Sequence, residues 1–83
     1  MKFMVTWIIP DGEARHDTLK IFSDMTAEQD QEMMGDSVTL IGRWHEVVSS
    51  AGVAIFESDS VAAVSNYLLN WNQVCDCDVT PVL

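Results

Sequence analysis

Within Leu40-Ile41-Gly42-Arg43-Trp44-His45-Glu46, apolar strand-type residues give way to arginine, tryptophan, histidine and glutamate in one short run. In an extended strand alternate side chains share a face, so Arg43 and His45 point one way while Gly42, Trp44 and Glu46 point the other. Arg43 and His45 are therefore the candidate catalytic pair. Arginine suits a carboxylate or carbonyl, and histidine exchanges a proton near neutral pH. The plain alternative is a wet or hydrogen-bonded strand-end His45, with Arg43 on the surface or in a dimer ion pair.

Aromatic side chains supply a second type of candidate. Trp7, Trp44, Phe56 and Trp71 are candidate ligand-binding residues, because aromatic walls suit an apolar or aromatic molecule, with Trp44 as a wall on the face opposite Arg43 and His45. Together with Phe3, Phe22 and Tyr67 they can equally fill a core and a dimer interface. Glu57, ending an apolar strand, is either a buried acid of raised pKa or a solvated strand end. Cys75 and Cys77 share a face and alternate with Asp76 and Asp78. Two thiols do not complete a zinc site, and no second cluster supplies more ligands, so no metal is expected and buried free thiols are the reading. No glycine-rich phosphate loop occurs, and no cofactor is expected.

Composition narrows the function classes. Four Lys and Arg stand against thirteen Asp and Glu, a formal charge of −9 over 83 residues. Phosphate neutralisation drives nucleic-acid binding, so an acidic chain argues against a nucleic-acid partner, and the same charge disfavours anionic membranes. The first apolar run ends at Pro10-Asp11-Gly12, too short for a membrane span and without a signal-type cleavage site. A cytoplasmic address is expected. Hydrophobic residues make up 48% of the chain, a rich supply for so small a core, which suggests apolar surface buried against a second subunit.

The elements that must position these groups follow from periodicity. Residues 3–9 are β-branched and aromatic, apolar on both alternating faces, and form a central strand. Asp11 is a candidate N-cap, with Glu13 near the helix start, for a helix running to about Met25 on a stripe of Thr18, Ile21, Phe22 and Met25. Thr26 and Gln29 have capping-box spacing and open a short second helical segment to Met34, ending near Gly35. Strands follow at 38–48 and 52–57, joined by a loop of Ser49, Ser50, Ala51 and Gly52. Ser58 caps a helix from Asp59 to Asn72, with Val61, Val64, Leu68 and Trp71 inward and Ala62 and Leu69 widening the stripe. A last strand runs from Cys75 to Leu83, and Pro81 predicts an edge position.

The order βαββαβ predicts one α+β domain over residues 1–83, a ferredoxin-like four-stranded antiparallel sheet with two helices on one face. An apolar second face is best covered by another copy, which predicts a homodimer through the sheet in a dimeric α/β barrel.

Five segments also resemble a small bacterial family of domains of unknown function, the one numbered 3303. They are Met1-Lys2-Phe3-Met4-Val5-Thr6-Trp7, Leu40 to His45, Phe56-Glu57-Ser58-Asp59, Trp71, and Val79-Thr80-Pro81-Val82-Leu83. The resemblance implies a ferredoxin-like fold related to dimeric α/β barrels, whose other families include small monooxygenases, isomerases and haem-handling proteins. It carries no catalytic residues across, and fold alone does not assign function. The sequence thus leads to three expectations: a binder of a small apolar or aromatic molecule, a cofactor-free isomerase or monooxygenase using His45 and Arg43, or a structural or regulatory homodimer without a ligand.

Overall fold

The computed structural model describes residues 1–12, 14–46 and 48–83. Glu13, expected at a helix start, and Val47, expected in the second strand, lie outside the described residues. Strand β1 (Lys2–Ile8) leads to helices α1 (Ala14–Asp24) and α2 (Ala27–Met34), then to β2 (Thr39–Glu46) and β3 (Ala51–Glu57), helix α3 (Val61–Leu68) and β4 (Asp76–Val82). The sheet order is β2-β3-β1-β4 with every neighbour antiparallel, the ferredoxin-like arrangement. No helix of the described residues is long and apolar enough to cross a membrane.

The central strands are β1 and β3, the two read as apolar on both faces. Phe3, Val5 and Trp7 are buried beneath the helices, while Met4 and Thr6 on the other side are half-covered and Ile8 is exposed. Across the ladder Phe3 meets Phe56 and Val5 meets Ala54, which sets the core layer with Val64, Tyr67 and Leu68 of α3 above it. β4 is an edge strand, and there Pro81 costs no ladder hydrogen bond on the open side.

Several local details differ from the expected periodicity. α1 begins at Ala14, and Asp11 instead accepts the Gly12 N–H and pairs with Arg15 at 3.5 Å. Its inward stripe is Thr18, Phe22 and Met25, with Ile21 turned to solvent. α3 is capped by Ser60, whose hydroxyl accepts the Ala63 N–H, and it stops at Leu68 with Val61 and Leu69 exposed. Ser58 is buried for a different reason: its hydroxyl donates to the Ser37 carbonyl at 2.7 Å, tying the α2–β2 link to the β3–α3 junction. Past Leu68 the chain continues in tight turns that carry Trp71 inward and deliver Cys75, so β4 starts at Asp76.

The capping box opening α2 is formed on both sides, Gln29 N–H to Thr26 Oγ1 at 3.1 Å and Thr26 N–H to Gln29 Oε1 at 2.9 Å. It orients α2 so that Asp30 and Met34, one turn apart, face the sheet.

Strand β2 carries a bulge. Leu40 pairs with Phe56 and Gly42 with Ile55, so Ile41 is an extra residue opposite no partner. The inserted residue reverses the alternation. Leu40 faces the helices before it, and Arg43 and His45 face the helices after it, where an unbroken strand would have sent Gly42 and Trp44 inward.

Gly52 is the second positioning device. It lies in β3, not in the turn, and pairs with both Trp7 of β1 and His45 of β2. A Cβ there would collide with the six-membered ring of Trp7. The missing side chain lets the indole lie across β3 and meet the imidazole on the far strand.

Candidate functional site

Between the helix-facing side of the sheet and the helices lies a cavity of about 460 Å³. The sheet contributes Val5, Trp7, Leu40, Arg43, His45 and Phe56, and the helical layer Phe22, Ala27, Asp30, Met34, Tyr67 and Leu68. Trp71, Cys75 and Cys77 close the end nearest β4. Of the residues singled out in the sequence, Arg43, His45, Trp7, Phe56 and Trp71 share this one cavity.

Trp44 does not join them. It sits on the outer face of the sheet, 59% exposed, with its ring folded back over Gly42. The alternation that brings Arg43 and His45 inward turns Trp44 to the opposite face, as expected, so it does not line this cavity. Glu57 is likewise no buried acid: it is exposed, and its carboxylate pairs with the amino group of Met1 at 3.0 Å.

The polar end of the cavity is a closed triad. Arg43 Nη2 donates to Asp30 Oδ2 at 2.7 Å and to the Tyr67 hydroxyl oxygen at 3.0 Å, and the Tyr67 O–H donates to Asp30 Oδ1 at 2.6 Å. Asp30 is buried, 4% exposed, so its carboxylate depends on these two donors in place of water. Burial and then the bond to Asp30 push the Tyr67 phenol well above its ordinary pKa, so it stays a donor throughout the physiological range. Arg43 is consequently not free to grip an anionic ligand. Its charge is matched within the protein.

His45 stands on its own. Its ring packs edge-on against Trp7 at 5.4 Å between centroids and tilted against Phe22 at 5.9 Å, and Phe22 in turn meets Trp71 edge-on at 4.9 Å. Burial, and then the nearby Arg43 charge, hold its pKa below the ordinary 6.5. The imidazole, on a residue that is exposed overall, thus holds its proton less tightly than a free histidine and can serve as a hydrogen-bonding group at the edge of an aromatic wall.

Two further features were not legible as site elements. Asp30 follows a capping box on a helix of unassigned role, and its alignment with Met34 one turn later is the one sign that it faces inward. The other is Trp7 Nε1: the side chain is 8% exposed, and its N–H has no hydrogen-bond partner among the described residues. A buried donor left without an acceptor costs free energy unless a bound molecule or water supplies one. Cys75 and Cys77 are free thiols with sulfurs 3.6 Å apart. Among the described residues no group of three or more His, Cys, Asp or Glu side chains is placed to hold a metal ion.

The model of one protein family, described as a domain of unknown function (DUF3303), matches residues 1–83. The chain belongs to this family. No curated protein matches it. Among solved structures, the DUF3303 chain is similar to protein Atu4242 from Agrobacterium tumefaciens, with a TM-score of 0.54 and 14% identity over 100% of this chain and 94% of that one. It is also similar to an uncharacterized NIPSNAP domain protein from Burkholderia xenovorans, with a TM-score of 0.51 and 11% identity over 100% and 95% of the two chains. At such identities the likeness establishes the ferredoxin-like fold and nothing about chemistry.

Two measurements check this description. Removing either ionic partner, in Asp30→Asn or Arg43→Gln, is expected to cost about 2–4 kcal/mol in urea unfolding, below the figure for a fully buried pair because the guanidinium is partly solvated. The double variant should lose clearly less than the two single losses combined, whereas simple additivity would mean that the pair is not coupled. For His45 the sign follows from its depressed pKa. Protonation is easier in the unfolded chain, so the fold loses stability as pH falls below 6.5 and the loss levels off below the folded-state value. A ring-proton NMR titration should give a midpoint under 6.5, and His45→Gln should flatten that part of the stability profile.

Proposed function

We propose that the protein binds a small, uncharged, largely apolar or aromatic molecule in the cavity between sheet and helices. The observation that carries this reading is the cavity itself. At about 460 Å³ it falls in the size range of small-molecule sites, and its walls combine aromatic and methionine side chains with few polar groups. The ligand is uncharged because the one guanidinium and the one carboxylate in the wall neutralise each other through the Asp30–Arg43 pair. Orientation would come from the imidazole of His45 at the edge of the aromatic wall.

A second reading keeps a specific observation behind it. His45 borders the cavity with its pKa lowered, so it has the protonation state of a general base. A cofactor-free isomerase- or monooxygenase-like enzyme would then work through His45, with Arg43 acting only through the Asp30–Tyr67 triad. The two readings part at His45→Ala: a binder loses affinity a few-fold, whereas an enzyme stops converting a ligand that it still binds.

A thermal-shift screen of small neutral aromatic compounds tests the binding reading. Hits are expected to raise the midpoint in a concentration-dependent way. Ala27, exposed at the cavity rim, offers a blocking position: Ala27→Trp should abolish those shifts while circular dichroism stays unchanged. Shifts that persist in Ala27→Trp would move the binding site elsewhere.

We further propose that a second copy covers the outer face of the sheet, giving a homodimer. By the ladder register that face carries Met4, Ile8, Val53, Ile55 and Trp44 together with the acidic Glu46, Asp76 and Asp78, and a single chain leaves Ile8 and Trp44 more than half exposed. Such a dimer would also serve the third possibility, a structural or regulatory assembly without a ligand. Light scattering at micromolar concentration should give twice the chain mass, and Trp44→Glu should give monomers; a monomeric wild type would remove the proposal.

A further inference from the structure

Cys75 and Cys77 are the chain's two cysteines, both free, and both line the end of the cavity nearest β4. Cys77 faces inward as the cross-strand partner of Trp7, and Cys75 sits two residues earlier, where tight turns deliver the chain to β4. Their sulfurs are 3.6 Å apart. Trp71 and Phe22, in edge contact at 4.9 Å, wall the same cavity. From this placement we infer that the pair is a chelating site for trivalent organic arsenicals, compounds of the form R–As(OH)2, with both sulfurs on the arsenic and the organic group R in the apolar cavity.

The gap between the sulfurs selects the kind of centre. Thiolate bonds to a thiophilic atom are about 2.3 Å long, so a linear two-coordinate ion would hold the sulfurs roughly 4.6 Å apart. A centre whose bonds meet between a right angle and a tetrahedral angle holds them roughly 3.3–3.8 Å apart. The observed 3.6 Å lies in that window. Zinc has the angle but takes three or four protein donors, and among the described residues no third His, Cys, Asp or Glu joins the pair. Pyramidal trivalent arsenic has the angle, prefers soft sulfur, and needs only two thiolates when its third bond is to carbon.

The step is a condensation and closes without a co-reactant. Each thiol gives its proton to one hydroxyl of the arsenical, which leaves as water, and each sulfur forms one arsenic–sulfur bond. Two As–O and two S–H bonds break, while two As–S and two O–H bonds form. Arsenic stays trivalent, so nothing is oxidised or reduced. Cys75 gives up its weak S–H bond to the Trp71 carbonyl at 3.3 Å in the process. The product is neutral, in keeping with a cavity whose guanidinium and carboxylate already pair with each other. Aromatic and methionine side chains of the wall then cover R, a contact that inorganic arsenite cannot make.

This inference rests on the cavity being a ligand site, and three probes separate the two: phenylarsine oxide, inorganic arsenite, which has no organic group, and benzyl alcohol, which has no arsenic. With the full chain kept reduced by a phosphine, native mass spectrometry should show one phenylarsenic group per chain. 2,3-Dimercaptopropanol should release it, and a single-thiol reagent at the same concentration should not. Cys75→Ser and Cys77→Ser should each weaken phenylarsine oxide about a hundredfold or more, because the second arm of the chelate is gone. The folded chain should prefer phenylarsine oxide to arsenite about tenfold more strongly than the urea-unfolded chain does, the gain coming from burial of the phenyl group. Ala27→Trp should erase that gain while arsenite still binds. Release by single thiols, full affinity in either serine variant, or the same preference in the folded and unfolded chain overturns the inference. Release and preference are read on the wild-type chain, so a variant that fails to fold does not remove the test. A thermal shift with benzyl alcohol beside absent arsenical binding would reject the chelate and leave the cavity site standing, whereas silence from all three probes would reject both.

Discussion

One buried carboxylate organises this molecule. Asp30 has exchanged water for two donors, and those donors come from different parts of the chain, Arg43 of β2 and Tyr67 of α3. An uncompensated charge in that position would be far more costly than the pair itself is favourable. The arrangement therefore acts as a geometric condition. α2 must pack so that Asp30 looks inward, β2 must present Arg43 to the helical layer, and α3 must place its one tyrosine between them. The triad ties the three elements together at one end of the cavity, and aromatic residues line its sides.

That condition also explains the bulge. Leu40 is needed inside, opposite Phe56, and three residues later Arg43 is needed inside as well. A regular strand cannot satisfy both, because faces alternate with a period of two. The unpaired Ile41 resolves the conflict, and the same correction brings His45 inward and sends Trp44 out. Gly52 then lets two rings meet across an intervening strand. Neither residue lines the cavity, yet both decide which side chains do.

The element order, the doubly apolar central strands, the capping box at Thr26 and the edge position of Pro81 were legible because each follows from local composition or a short-range spacing. What was not legible depended on competition between distant segments. Arg43 and His45 could be paired by alternation, but the register that turns them toward the helices is set by Phe56 and Asp30. Ser58 and Ser60 are equally good caps by type, and only the Ser37 carbonyl waiting across the junction decides that Ser58 is used elsewhere. Trp44 reads like any other aromatic until the bulge assigns its face. α2, legible only as a short capped segment, supplies the residue on which the site depends.

The edge strand β4 has a bearing on the life of the protein in solution. An open edge exposes a row of backbone donors and acceptors that another chain can extend, and this one carries, next to its last residue, a proline that cannot donate. Asp76 and Asp78 stand on the same strand, so an approaching copy of the edge would set like charges against each other. In a chain carrying a net charge of −9 that repulsion is broadly reinforced. The acidity that argues against nucleic acid thus has a protective side, opposing the joining of sheets edge to edge. Colloidal behaviour thus draws on the exposed carboxylates of the edge, whereas the fold draws on the buried Asp30, so the two rest on different acidic groups.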